Sequence, residues 1–298
     1  MSAHSLTKAV LRADRLPRRR AVNRLMELLA WLAALIAVAI LGVVVFSVAK
    51  RGAGALNLDL LTRTPVLFSL TPVKQGLANA FVGSLVIVAI ATVMALPIGI
   101  LVAIYLNEFA RPSVRSAVSL ALDVLNGIPA IVIGIFVFGL LVVSHGQSAF
   151  AGAFALACLM LPLVARSTME ILALVPGSLR EASLALGVPR WRTTLSIVLP
   201  QTIGGIVTGT TLAVARVAGE TAPLLFTSSI VSTKVSWNPH HALQTVPVAI
   251  FELSESSDPQ DHARAWAAAF VLLMFILLTS LTARWLANRS RRRLTTSR

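Results

Sequence analysis

Two charged side chains interrupt an otherwise apolar run in "ARVAGETAPLLF", residues 215–226: Arg216 and, four positions later, Glu220. Residues four apart share a helical face, so the spacing predicts an ion-paired couple within one membrane span, where an ionisable group marks a site by default. An arginine offers a planar fork of donors matched to carboxylate or phosphate oxygens, and it stays charged where water is scarce. The chemistry implied is passage of an oxyanion, handed between Arg216 and another cation such as Arg166, while Glu220 holds Arg216 and keeps its grip from becoming too tight. Glu220 could instead accept a hydrogen bond from monohydrogen phosphate, a donor that fully deprotonated sulfate lacks. A structural role stays open beside these: a self-contained pair on one helix that only locks the bundle. Thr210, Thr211 and Thr221 either add hydroxyls to the path or bond back to their own helix. Asp123 has two candidate partners, Asn126 or a cation across the bundle.

A second stretch, "EASLALGVPRWRTTLSIVLP" at residues 181–200, reads as two short helices hinged at a glycine. Ser178 and Glu181 have the spacing of a capping box, which predicts a helix start near Leu179. Gly187 suits the left-handed position that ends a helix, and Pro189 can open the next. The second helix is expected to run from about Arg190 to a break at Pro200. Such a loop exposes Leu184, Leu186, Val188 and Trp191, so it either docks into a partner's groove or packs beneath its own bundle.

The elements that position these residues follow from composition. Of 298 residues 56% are hydrophobic and 13% charged, and mean hydropathy is +0.83, which is the balance of an integral membrane protein rather than a soluble domain. About 20 apolar residues cross a bilayer, and such runs lie at residues 28–49, 80–106, 116–143, 149–166, 201–225 and 265–287. The chain thus divides into a basic segment 1–27, a membrane domain 28–287 with a loop at 167–200, and a basic tail 288–298. Lys and Arg number seven in the first segment, two in 107–115, four in 166–200 and six from 284 onward, against Lys50, Arg51, Arg63, Lys74, Lys234 and Arg264 on the other side. That excess predicts cytoplasmic termini and a cytoplasmic hairpin, with Lys50 and Arg51 a local contradiction. On this topology Arg216 lies roughly 22 Å beyond Gln201, past the middle of a hydrocarbon layer about 30 Å thick.

The first apolar run exceeds the 7–15 residues or so of a signal peptide, so it reads as a retained span. Before it, Lys8, Arg12, Arg15 and Arg18 to Arg20 alternate with Leu6, Val10, Leu11 and Leu16, a pattern for a surface helix or a disordered basic tail. Pro97 with Gly99, Asn126–Gly127 with Pro129, and Pro162 mark breaks or kinks. The small residues of "GGIVTGTTLAVARVAG" allow close helix approach.

The net charge of +14 belongs to tails and loops and comes with no nucleic-acid motif. The lone Cys158 permits neither an intrachain disulfide nor a cysteine cluster for zinc. His145, His240, His241 and His262 lack the H-E-x-x-H spacing of a metal site. An enzyme acting on lipid-linked phosphate would need a nucleophile or base beside the in-span arginine, and only Glu220 and Asp123 are candidates. A passive anion channel would leave the exposed hairpin without a purpose.

Glu181, Ala182, Gly187, Ile197, Leu199 and Pro200 fill the signature of permease subunits of ABC importers in register, with Ser183 where the third letter is commonly Ala. "LPLVARSTMEILALVPGSLREASLALG", "NGIPAIVIGIFVFG", "IYLNEFA" and "RVAGETAPLLFTSS" further resemble the phosphate-uptake permeases of the PstA type, over roughly residues 75 to 285. The resemblance implies an all-α, six-span type I importer bundle of the MetI-like kind, in a bacterial inner membrane. It implies a coupling helix in the loop, with Glu181, Ala182 and Gly187 at an ATPase interface, Trp191 beside them, and Arg180, Arg190 and Arg192 on its polar rim. Arg166, Arg216 and Glu220 are the residues it marks for phosphate translocation. The partners implied are a second permease of the PstC type, a PstB-type ATPase dimer that uses ATP and Mg, and a PstS-type extracytoplasmic binding protein. The chain itself has no G-x(4)-G-K-[ST] segment and no cofactor of its own is implied.

Overall fold

A computed structural model describes residues 16–66 and 75–296. The basic start as far as Arg15, and Lys74, lie outside the described residues. The chain divides into two compact units, residues 1–51 and 52–298. Helix α1 (Leu16–Gly54) supplies the first, with a 36-residue apolar stretch none of whose most hydrophobic window is buried. Such a surface belongs in lipid or against another apolar helix.

Among the described residues the regular secondary structure of the second unit is all helical. After the single turn α2 (Leu58–Thr62) come α3 (Ala78–Ile104), prolonged by a π-helical turn at Tyr105–Phe109, and α4 (Pro112–Gly127). Next are α5 (Ala130–Val137), prolonged by a π-helical turn at Phe138–Val142 and a last turn at Val143–His145, α6 (Ala149–Ala173), α7 (Gly177–Ala185) and α8 (Arg190–Thr193). The rest are α9 (Leu199–Ala218), α10 (Ala222–Thr227), α11 (Val246–Glu255) and α12 (Pro259–Thr296). Among the described residues five helices are long and apolar enough to cross a membrane, and a sixth crossing results if the bent pair around Pro129 is one span.

Lipid offers apolar side chains as good a solvent as a neighbouring helix does, so helices associate where small residues let them pack closely. The sequence of α6 meets that condition: Ala149, Ala151, Gly152, Ala153, Ala155 and Ala157 are all buried. It is the central post. Leu156, Met160 and Val164 of α6 pack against Ile87, Ala91 and Ala95 of α3 and Ala213 and Val217 of α9. A second cluster joins Ala165, Met169 and Leu172 of α6 to Leu106, Leu122 and Val198.

The small-residue run in α9 behaves as its composition predicts. A Cβ on Gly205 would come within 2.7 Å of Ile171, and one on Gly209 within 2.8 Å of Ser167. As the number rises by four on α9 it falls by four on α6, so the two helices run antiparallel in close contact.

The expected kinks divide into two kinds. Pro97 and Pro162 lie within unbroken helices. At Ile128–Pro129 the third span does break, and its halves meet at 95°. Proline disfavours the helical conformation in the residue before it, and Ile128 is indeed extended.

Candidate functional site

The in-span charges do not form the couple that their spacing predicts. Helix α9 ends at Ala218, Gly219 caps it, and Glu220 lies in the break before α10. The prediction assumed an uninterrupted helix through 201–225; with Gly219 ending it, the i,i+4 geometry is lost. Arg216 is exposed on the last turn of α9, and among the described residues it makes no ion pair or side-chain hydrogen bond. Glu220 is half-buried, and its backbone N–H donates to Val217 O at 3.1 Å. Thr210 and Thr211 donate to the carbonyls of Ile206 and Val207 on their own helix, both at 2.8 Å.

Arg166 is held differently. Its guanidinium forms an ion pair with Asp123 of α4 and donates from Nη2 to Ser119 O at 2.7 Å. Of the two partners open to Asp123, the cation across the bundle is the one found. The Nε of Arg166 is buried without a hydrogen-bond partner among the described residues. Because Ser167 faces Gly209 and the helices are antiparallel, Arg166 stands level with Thr210. Arg216, six residues farther along α9, is then displaced by roughly 9 Å along the axis. The two arginines lie at successive levels beside one helix contact.

The hairpin forms at the predicted place by partly different means. Gly187 takes φ +77, the left-handed region in which a side chain would be strained, and closes α7. Pro189 precedes α8 as its cap. The capping box is absent: Pro176 is the N-cap, helix α7 starts at Gly177, and no side chain caps it, which leaves Glu181 exposed. Pro176 has already set the extended entry that Ser178 would have supplied. The expected break at Pro200 is also absent. A π-helical turn at Thr194–Val198 joins α8 to α9, and Pro200 occupies the first turn of α9, where its missing N–H is harmless.

Leu186 is 83% exposed and Trp191 59%, with Leu184 also exposed, so the hairpin does not tuck its apolar tip beneath its own bundle. Glu181, Ala182, Arg190 and Arg192 surround that tip on the surface.

Arg180 departs from the polar rim. It turns inward, donating from Nε to Glu108 Oε2 at 3.1 Å and from Nη2 to Glu108 Oε1 at 2.8 Å. Its remaining donors meet Val175 O at 2.7 Å and Leu172 O at 2.9 Å. Glu108 also accepts from Asn107 at 2.8 Å. Sequence reasoning passed over Glu108, although a carboxylate at the end of an apolar run, on the same side as the arginine-bearing hairpin, was a usable signal.

Apolar helices packed around a small-residue post, with an exposed helix hairpin between two of them, make up an all-helical membrane bundle. The matching family is described as "Binding-protein-dependent transport system inner membrane component", over residues 95–292, and the chain belongs to this family. Among its relatives, the phosphate transport system permease protein PstA of Haemophilus influenzae is 39% identical over 272 residues, covering 89% of this chain and 94% of that one. PstA 1 of Mycobacterium tuberculosis is 40% identical over 223 residues, 73% of this chain and 72% of its own. Among solved structures, the inward-facing MetNI methionine ABC transporter matches with TM-score 0.58 at 15% identity, over 70% of this chain and 93% of that chain. A bacterial ABC transporter for alginate matches with TM-score 0.57 at 15% identity, over 86% and 95%. At such identity these two likenesses speak for the fold alone, that of ABC importer permeases.

Proposed function

We propose that this chain is the permease subunit of an ATP-driven importer of inorganic phosphate, and that it lines the translocation path and transmits the ATPase stroke to it. The observation that carries this reading is Arg216: an exposed arginine without a carboxylate partner among the described residues, on the last turn of a broken span, in a chain whose relatives are named phosphate permeases. A dianion entering beside Arg216 meets a donor fork whose charge is not already matched. Arg166, roughly 9 Å farther in, is the next cation, and Asp123 competes with the anion for it. Glu220, free of Arg216, can accept the hydrogen bond of a singly protonated phosphate.

The hairpin is the docking element. Its exposed apolar tip at Leu184, Leu186 and Trp191 suits a groove on an ATPase subunit, with Glu181, Ala182, Arg190 and Arg192 around it and Gly187 shaping the turn. In this reading a PstB-type ATPase dimer uses ATP and Mg, a PstC-type permease completes the path, and a PstS-type protein delivers phosphate from outside. Both termini lie in the cytoplasm, which the distribution of Lys and Arg supports.

The alternative substrate is another oxyanion. Vesicles containing the four-part assembly and internal ATP distinguish them by competition. Excess phosphate is expected to abolish labelled phosphate uptake, and excess sulfate or molybdate to leave it intact. Equal inhibition by sulfate would overturn the choice of phosphate.

A further inference from the structure

We infer that Glu108 is a positioning residue for energy coupling: its fork with Arg180 ties the hairpin to the inner end of α3, so that a displacement of the hairpin moves that span. This rests on the proposed ATPase-driven role.

The argument begins with what holds α7. Its backbone comes close to α8, and to no other helix to a comparable extent; Ser183 and Thr193 reinforce that contact with a hydroxyl pair at 2.8 Å. A hairpin joined only to α8 would rock about the base of α9 without moving α3. On the α3 side a cleft of about 220 Å³ separates the elements, lined by Asn107, Glu108, Arg180, Leu184, Arg190 and Thr193. The Arg180–Glu108 fork bridges that cleft.

Its chemistry fits a transmitting link. The carboxylate side chain of Glu108 is 8% exposed and that of Arg180 23%, so the pair is poorly solvated and little screened. Both carboxylate oxygens are engaged, and two parallel charge-assisted bonds fix direction as well as distance. The same guanidinium grips the carbonyls of Leu172 and Val175 at the end of α6, so one side chain joins the hairpin, the central post and α3. Glu108 lies in the π-helical turn Tyr105–Phe109, a local widening that often accompanies functional positions. Around it, Leu106, Met169, Leu172, Val175 and Val198 form an apolar cluster. Apolar contacts can slide; a bidentate fork resists shear.

The test uses vesicles with the complete assembly, and compares wild type, Glu108→Gln and Glu108→Asp. The readouts are phosphate transported per ATP hydrolysed, and the amount of ATPase that co-purifies. In Glu108→Gln the ATPase stays bound and hydrolyses ATP while phosphate per ATP falls about tenfold, the upper part of the range for a coupling residue. Glu108→Asp keeps the charge and recovers most of the ratio. Two results overturn the inference: an unchanged ratio in Glu108→Gln, or transport and hydrolysis falling together in proportion to lost assembly. Wild-type vesicles without ATP-driven uptake would overturn the functional reading itself and, with it, the inference.

Discussion

Arg166 of α6 is paired with Asp123 of α4, so the inner of the two candidate anion stations is occupied by a carboxylate of the protein itself. An anion that reaches Arg166 must displace that carboxylate. Asp123 is 59% exposed, so the pair is worth about 0.5–1 kcal/mol rather than a buried-pair value. Asp123→Asn is therefore expected to lower the KM for phosphate about two- to fivefold and to lower kcat, because the anion then leaves Arg166 more slowly. Initial-rate kinetics of uptake measure both. A raised KM would mean that Asp123 helps to hold the substrate.

Among the described residues Arg216 carries no such partner, and its loss would remove the proposed outer station. Arg216→Ala is expected to reduce uptake about 10- to 150-fold, since a hydrogen bond to a charged group contributes about 1.5–3 kcal/mol. The ATPase should co-purify as before, because the hairpin is untouched. Arg216→Lys, which keeps charge but not the fork, should retain intermediate activity.

Gly187 tests the hairpin through its backbone alone. A Cβ there would meet nothing within 4 Å, yet φ is +77, so any effect of Gly187→Ala comes from strain and not from a clash. That strain is about 1–2 kcal/mol, enough to weaken ATPase co-purification about five- to thirtyfold. Gly187→Asp should weaken it as well. Unchanged association would show that the turn geometry is not what the ATPase reads.

The α11 helix should respond to pH. Burial pushes the Glu252 carboxyl above its ordinary range, the hydrogen bond from Gln244 opposes this, and the nearby Asp261 charge adds to it. The folded state therefore holds this proton more tightly than the unfolded state. The stabilisation is fully present below the ordinary carboxylate pKa and is lost as pH rises through the raised one. Hydrogen exchange over residues 244–255, corrected for intrinsic rate, should show more protection near the acid end than at neutrality. Glu252→Gln should flatten that dependence and protect the segment at neutral pH.

How much was legible in the sequence follows from how local each signal is. Apolar run length found the long apolar helices, and Pro129 marked the break in the third run, because both depend on neighbours in the chain. The positive φ of Gly187 was likewise readable from the residues flanking it. The end of α9 at Ala218 was not read: a glycine such as Gly219 inside a helical pattern can be tolerated or can end the helix, and the charge spacing favoured continuation. Nor did the sequence say that Arg180 turns inward, since its partner lies 72 positions away and only the packed bundle brings them together. Asp123 falls between these cases. Its need for a partner was clear, and whether that partner was Asn126 or a cation across the bundle was not.

The central claim is that this permease moves phosphate only when an ATPase drives it. The most direct measurement is the initial rate of labelled phosphate uptake into vesicles bearing the four-part assembly, with and without ATP on the ATPase side. The account predicts accumulation above the external concentration with ATP and no net accumulation without it. Equal rates in both conditions, running only down the gradient, would contradict it.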